Sequence, residues 1–344
     1  MGKTMDRLGE VLKFVDFKCP GIEIAPYFAP MIPKAKHNNA FTLDVFSAPV
    51  LREKGKDDPN VRDFVENIEE VDFVGDACSI DAMLHNHENY GQFQYIVSSH
   101  NFEHLPNPIK FLIGCSRVLR PGGYISMAIP DYRACFDHFR FPTKLSDWLL
   151  AYHGQSEQPS PEVVFDFISN HSAYMVEGAG KVGCNFASDN PDDFELTGNV
   201  VSAYEAYRHA KQQDHNEYHD AHCSVLTNTS FKLLVSDLIR IGLVDLEIVE
   251  VSDVSGLEFF AHLRKPEQDE KPKQSDTEVS RLTREDQLRE VSRSLGATAF
   301  PHRSFDDSWA ERHAVLEERD RLASELRHVV RYPWKNIKRF LRRV

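Results

Sequence analysis

Between residues 131 and 140 the chain reads Asp-Tyr-Arg-Ala-Cys-Phe-Asp-His-Phe-Arg, so Asp131, Arg133, Asp137, His138 and Arg140 fall within ten residues. An imidazole beside a carboxylate can take a proton from a hydroxyl, and a guanidinium grips a carboxylate or phosphate through paired N–H donors. Phe136 and Phe139 could anchor such a segment or stack on a sugar. A surface helix laced with ion pairs would carry the same letters. Further along, His209, His215, His219 and His222 with Cys223 offer side chains that bind zinc, two of the histidines being four residues apart. Their surroundings, Ala-Lys-Gln-Gln-Asp-His-Asn-Glu-Tyr-His-Asp-Ala-His-Cys, are strongly polar and lack a His-Glu-x-x-His arrangement. An exposed helical turn is expected there, and no metal ligand is assigned.

The elements that would position these groups are clearest over 93–132. Tyr95, Ile96 and Val97 form an apolar run that stops at Ser98, Ser99, His100 and Asn101. Polar groups at the carboxyl end of a buried strand mark the place where open α/β sheets bind ligands. Ile109, Leu112, Ile113 and 116–119 follow helical spacing, and Pro121-Gly122-Gly123 supplies a stop and a positive-φ turn before an apolar strand over 124–129. Upstream, a helix is expected over 4–15 and strands over 21–25, 40–45 and 71–74, with Glu23 in the first, Asp44 closing the second and Asp76 just past the third. Beyond 129 the alternation gives way to a helical, loop-rich insertion over 131–220. A helix over 230–241 and two strands, 244–251 and 257–263, follow. The short connection at 252–256 predicts an antiparallel hairpin. The fold expected is a Rossmann-like α/β sheet, mostly parallel, with an antiparallel last strand at an edge.

Composition sets the outer limits. A 344-residue chain that is 41% hydrophobic can bury one core of about 250 residues and carry an appendage. The domain is expected to end near Lys265; 266–280 lacks aromatics and reads as a linker, and 281–344 as a helical tail. Within the tail, 308–330 is a charged helix with Leu316, Leu322 and Leu326, and 332–344 is a basic amphipathic helix suited to an anionic membrane face or a protein partner. The net charge is −13, and the seven basic residues after Leu326, with no acid among them, leave −20 on the remainder. Such an acidic body disfavours nucleic acid as substrate. Six scattered cysteines without a Cys-x-x-Cys pair fit reduced thiols. With charges throughout 1–17 and no apolar run of about 18 residues, neither a signal peptide nor a membrane span is expected, and a cytoplasmic location is.

Glu103-His104-Leu105, Arg117-Val118-Leu119 and Pro121-Gly122-Gly123 fall in the register of the later motifs of class I S-adenosylmethionine (AdoMet) methyltransferases, and the chain resembles that family. Within it, Glu23-Ile24-Ala25-Pro26 with Pro30, Pro33 and Lys34, then 69–74, 129–140 and 221–231, are similar to methyltransferase-domain proteins associated with bacterial surface-polysaccharide synthesis. The resemblance covers about 20–264. It implies AdoMet as cofactor, Glu23 near the methionine moiety with Ala25 and Pro26 in the following loop, and Asp44 on the ribose diol. It also implies Asp76 and Ala77 at the adenine, and Ser98, Ser99 and His100 over the sulfonium region. Glu23 and Asp44 are 21 residues apart, close to the separation that serves the same diol in dinucleotide folds. Acids that merely end strands and cap helices would look alike.

One departure stands out: the loop after the first strand has no glycine, and Ala25 stands where the backbone must approach the ligand. For the acceptor, Asp131, Arg133 and Arg140 are the expected binding groups, His138 is the first candidate base and His222 the second, with Asp137 orienting either. The function implied is O-methylation of a sugar or glycan precursor. Two alternatives are methylation of another small molecule, such as a lipid or quinone precursor, and a binding or scaffold module of a glycan-assembly complex that has lost catalysis.

Overall fold

Short, largely apolar runs, some of them ending at acids or hydroxyl residues, become the strands of a seven-stranded sheet. The computed structural model describes residues 6–212, 218–267 and 283–296. His215, most of the linker and the helices expected over 308–330 and 332–344 lie outside them. In chain order the elements are α1 (Arg7–Val11), β1 (Gly21–Ile24), β2 (Ala40–Asp44), α2 (Ala48–Asp57), β3 (Phe73–Val74), α3 (Ile80–Leu84), β4 (Phe93–Ser99), α4 (Pro108–Val118) and β5 (Leu119–Pro130). An insertion follows: α5 (Leu145–His153), α6 (Pro161–Ser169), β6 (Ser172–Val176), β7 (Ala179–Lys181), β8 (Phe194–Leu196) and α7 (Val200–Ala210). The chain then returns to the sheet with α8 (Asn228–Arg240), β9 (Glu247–Val251) and β10 (Glu258–Arg264), and α9 (Arg284–Gly296) comes last.

The strand order is β3-β2-β1-β4-β5-β10-β9. β1 through β5 pair in parallel, and β10 is antiparallel to both β5 and β9. The expected antiparallel last strand is therefore present, but it slots between β5 and β9 instead of forming the edge. The order reverses between β1 and β4, which opens the crevice at the carboxyl ends of these strands where ligands bind in such sheets.

Period-two alternation divides the core. Tyr95 and Val97 of β4 join Val11, Ile32, Ala40, Ala128 and Phe260 on one face. Ile96, Met127, Ile129, Phe259 and Ala261 face the other way, against Leu112, Phe231 and Val235 of α4 and α8. Local signals set the helix starts. Asn107 accepts the Lys110 N–H at 3.1 Å ahead of Pro108, and Thr227 and Ser230 form a reciprocal capping box at α8. Gly122, at φ 71°, makes the turn expected after α4.

Two features differ from expectation. The insertion contains its own antiparallel sheet, β7-β6-β8, besides its helices. The first compact unit also runs to Leu288, past Lys265, because Arg284 donates to Asp237 at 3.0 Å and Gln287 to Ser236 at 2.9 Å on α8. All six cysteines are free.

His262 lies inside β10, 1% exposed, with its Nδ1 against Ser126 Oγ at 3.0 Å and Nε2 without a partner. Burial lowers its pKa to about 4, whereas the unfolded chain titrates near 6.5. Between these values the unfolded state binds a proton that the folded state refuses, so stability falls as pH drops through this window, by on the order of 3 kcal/mol. Replacing His262 with Asn, nearly isosteric and non-titrating, is expected to flatten that slope in urea unfolding measured from pH 4 to pH 7; an unchanged slope contradicts it.

Candidate active site

The first wall of the crevice is the loop that leaves β1. Glu23 is 2% exposed, and its carboxylate accepts the backbone N–H groups of Met31 at 2.8 Å and Ile32 at 2.9 Å. Burial raises its pKa against the opposing effect of those donors. Glu23 thus grips the loop from beneath. Ala25 and Tyr27 sit at φ 50° and 49°, the left-handed region that side chains avoid. The Ala25 N–H donates to the Leu43 carbonyl at 2.8 Å, which holds it there, and Pro26 follows. Lys34 closes the loop: its N–H meets the Glu69 carboxylate at 3.0 Å, and its ammonium reaches the Glu70 carbonyl and Asp72 Oδ2, both at 2.5 Å. Two sequence blocks picked out separately, around Lys34 and at 69–74, thus meet.

Asp44, 5% exposed, closes β2 beside this loop. Its Oδ1 accepts the Phe46 N–H at 3.0 Å, which orients the carboxylate, and burial raises its pKa. Asp76 caps the turn after β3 through the Cys78 N–H at 2.9 Å, with Ala77 buried behind it. Ser98 Oγ accepts from Asn101 at 3.2 Å and Ser99 Oγ from Arg7 at 2.8 Å. His100 adopts φ 49° and binds Glu258 Oε2 at 2.8 Å. Burial alone would lower the His100 pKa, but the Glu258 bond and the nearby Glu103 charge raise it.

The second wall follows β5, and here the structure rearranges the expected roles. Asp131 is fully buried and bidentate with Arg133, at 2.8 Å to both Nε and Nη2, and Arg133 lies over the Phe186 ring. Arg140, 5% exposed, bridges Asp137 at 2.8 Å and Asp166 at 2.7 Å. Asp131, Arg133 and Arg140, the expected acceptor-binding groups, are engaged in internal ion pairs that brace the segment. This is neither the surface helix nor the open anion site that the letters allowed. His138, the first candidate base, gives its Nδ1 to the Arg133 carbonyl at 2.8 Å and stacks on Phe194, 4.3 Å between ring centres. Asp137 points the opposite way and orients His222 alone, Oδ2 to Nδ1 at 2.5 Å. Burial would raise the Asp137 pKa, but His222 and Arg140 together hold it below the ordinary carboxylate value.

His222 is 4% exposed and lies in non-helical chain, so the exposed helical turn expected around it is replaced by a buried imidazole packed on Phe136 and His104. Its Nε2 faces Glu103 Oε1 at 4.0 Å, and His104 Nε2 faces the same oxygen at 3.9 Å. Glu103, His104, Arg7 and Glu258 had no assigned role from sequence. Two signals were present: Glu103-His104 follows the polar end of β4, and Glu258 precedes the apolar run Phe259-Phe260-Ala261. A cavity of about 460 Å³ is lined by Leu105 and Cys223, the neighbours of His104 and His222, and by Arg140, Trp148 and Asp166. None of the expected cofactor residues borders it.

Residues 35–127 match the family described as "Methyltransferase domain". The match covers about a quarter of the chain, and the mostly parallel sheet with its reversed strand order is the Rossmann-like fold of methyltransferases. The protein is an AdoMet-dependent methyltransferase, and Asp44, a buried and oriented carboxylate at the end of β2, fits the ribose diol of that cofactor. No curated protein matches the chain. Among solved structures it is similar to the CcbJ methyltransferase from Streptomyces caelestis, at 12% identity and TM-score 0.37 over 77% of this chain and 98% of that one. It is also similar to AdoMet-dependent methyltransferases from Mesorhizobium loti, at 11% identity and TM-score 0.35 over 74% and 95%, and from Aquifex aeolicus, at 11% identity and TM-score 0.32 over 75% and 89%.

A left-handed residue with a Cβ costs about 1–2 kcal/mol, less what glycine adds to the entropy of the unfolded chain. Ala25→Gly is therefore expected to stabilise the protein by up to about 1 kcal/mol in urea unfolding, and a loss of stability contradicts the strain assigned to Ala25.

Proposed function

We propose that the protein transfers a methyl group to a hydroxyl of a sugar or glycan precursor. The observation that carries this is the convergence of Glu103, His104 and the Asp137-oriented His222 at the carboxyl ends of β4 and β5, a buried centre able to receive a hydroxyl and handle its proton. The sugar class is favoured by the blocks at 23–34, 69–74, 129–140 and 221–231 that resemble polysaccharide-associated methyltransferase domains. Bound AdoMet would supply an activated methyl on a sulfonium. The chain's own part is to bind, orient and exclude water. Asp44 would hold the ribose, the turn at Asp76 and Ala77 the adenine, and the loop of Ala25 and Pro26 the methionine end. Glu23 acts through the loop it fixes. Ser98, Ser99 and His100 would close over the sulfonium region, with His100 set by Glu258.

We place this activity in the cytoplasm, with the acidic body free of nucleic acid and the basic tail touching a membrane face or a protein partner. No helix among the described residues is long and apolar enough to cross a membrane.

Two measurements test this function. Asp44→Ala is expected to weaken AdoMet binding tenfold or more in calorimetric titration, about 1.4 kcal/mol; unchanged affinity removes the ribose assignment. Tritium from labelled AdoMet is expected in at least one member of a nucleotide-sugar panel, and labelling only of lipid or quinone precursors sinks the sugar assignment.

A further inference from the structure

Glu103 is 1% exposed, and neither of its carboxylate oxygens has a hydrogen-bond partner. Buried charges elsewhere in proteins are paired or coordinate metals, since desolvation is otherwise uncompensated. What surrounds this carboxylate is three imidazoles: His100 Nδ1 at 3.7 Å, His104 Nε2 at 3.9 Å and His222 Nε2 at 4.0 Å. Each ring is engaged on its far side. His104 Nδ1 meets Asp220 Oδ1 at 2.9 Å, His222 Nδ1 meets Asp137 Oδ2 at 2.5 Å, and His100 Nε2 meets Glu258 Oε2 at 2.8 Å. An ionised carboxylate only accepts, so the outer nitrogen of each ring carries the hydrogen. In a neutral ring the inner nitrogen then turns a lone pair toward Glu103. With His104 and His222 neutral, their lone pairs and those of the carboxylate converge on one small space, which positive charge placed among them stabilises, whether a metal ion or protons on the rings.

We propose that Glu103, His104 and His222 bind one divalent first-row transition-metal ion. Their ligand atoms all lie within 4.8 Å of one another, and metal bonds of about 2.0–2.2 Å are reached by small inward shifts of the side chains. Carboxylates behind the ligating histidines, here Asp220 and Asp137, fix the tautomer and raise the basicity of the ring. The backbone is also set: the N–H groups of Cys223 and Ser224 donate to the Glu103 carbonyl at 2.6 and 3.0 Å, which locks the His222 segment against the Glu103 segment. Two imidazoles and one carboxylate suit zinc, iron, cobalt or manganese better than magnesium or calcium. Three protein ligands leave coordination positions open, and a substrate hydroxyl oxygen would occupy one of them. That last role rests on the acceptor centre proposed above, whereas metal binding does not.

The test uses the full-length protein, stripped with a chelator and titrated with Co2+ alone at pH 7.5. One equivalent is expected to bind with the visible absorption of a nitrogen- and oxygen-ligated ion; Zn2+ should displace it and Mg2+ should not. His104→Ala, at a partly exposed position, should weaken Co2+ binding about 100-fold or more, and Asp137→Asn should weaken it about 10- to 100-fold. Absence of Co2+ binding below millimolar concentration would falsify the site and leave protonated histidines as the neutralising charge. Binding of equal strength in His104→Ala overturns it too, by placing the ion elsewhere. Co2+ binding by a protein that fails to bind AdoMet would sink the methyltransferase function and leave the metal site standing.

Discussion

A carboxylate taken out of water must be given donors or a cation, and that requirement ties this molecule together more than any single apolar contact. Glu23 meets it with two backbone N–H groups, Asp131 with Arg133, Asp137 with Arg140 and His222, and Glu258 with Arg7 and His100. Each solution joins segments that are remote in sequence or locks a loop onto a strand end. Breaking such a pair by removing one partner typically costs about 3–5 kcal/mol, because the charge left behind stays buried. Asp131, Arg133, Asp137 and Arg140 thus hold the segment after β5 in place through their mutual and neighbouring ion pairs.

This division of labour explains how a chain without a glycine-rich loop builds a cofactor crevice. The loop after β1 is pulled down by Glu23, pinned at its end by Lys34 on Glu69, Glu70 and Asp72, and forced into a left-handed turn at Ala25 and Tyr27. Side-chain anchors do the shaping that glycine would otherwise permit. The same edge of the sheet then carries Asp44 on one side and the Glu103 centre on the other, so both reactants of a methyl transfer would meet over the ends of β1 and β4.

Strands were legible where burial is complete. β2 and β4 are largely apolar runs that end in polar residues, the apolar part of β5 is followed by Asp131, and the structure divides the residues of β4 between two core faces. The small sheet β7-β6-β8 left less of a trace: Ala179–Lys181 is exposed throughout, and only the two-residue turn Glu177-Gly178, both at positive φ, joins it to β6. For the site, residue types and neighbourhood were readable but directions were not. Asp137 and His138 are adjacent letters whose side chains diverge, one to His222 and the other to Phe194. The buried side of His222 was hidden by its polar neighbours, and its meeting with Glu103 joins positions 119 residues apart.

The place of β10 carries a further consequence. Glu258 opens this strand opposite Pro130, and through its bonds to Arg7 and His100 it completes the site from near the end of the domain. Until that strand has left the ribosome, β5 presents an unpaired edge and His100 lacks its anchor. Formation of the proposed centre is thus coupled to completion of the sheet, and a prematurely ended polypeptide would offer an aggregation-prone border in its place.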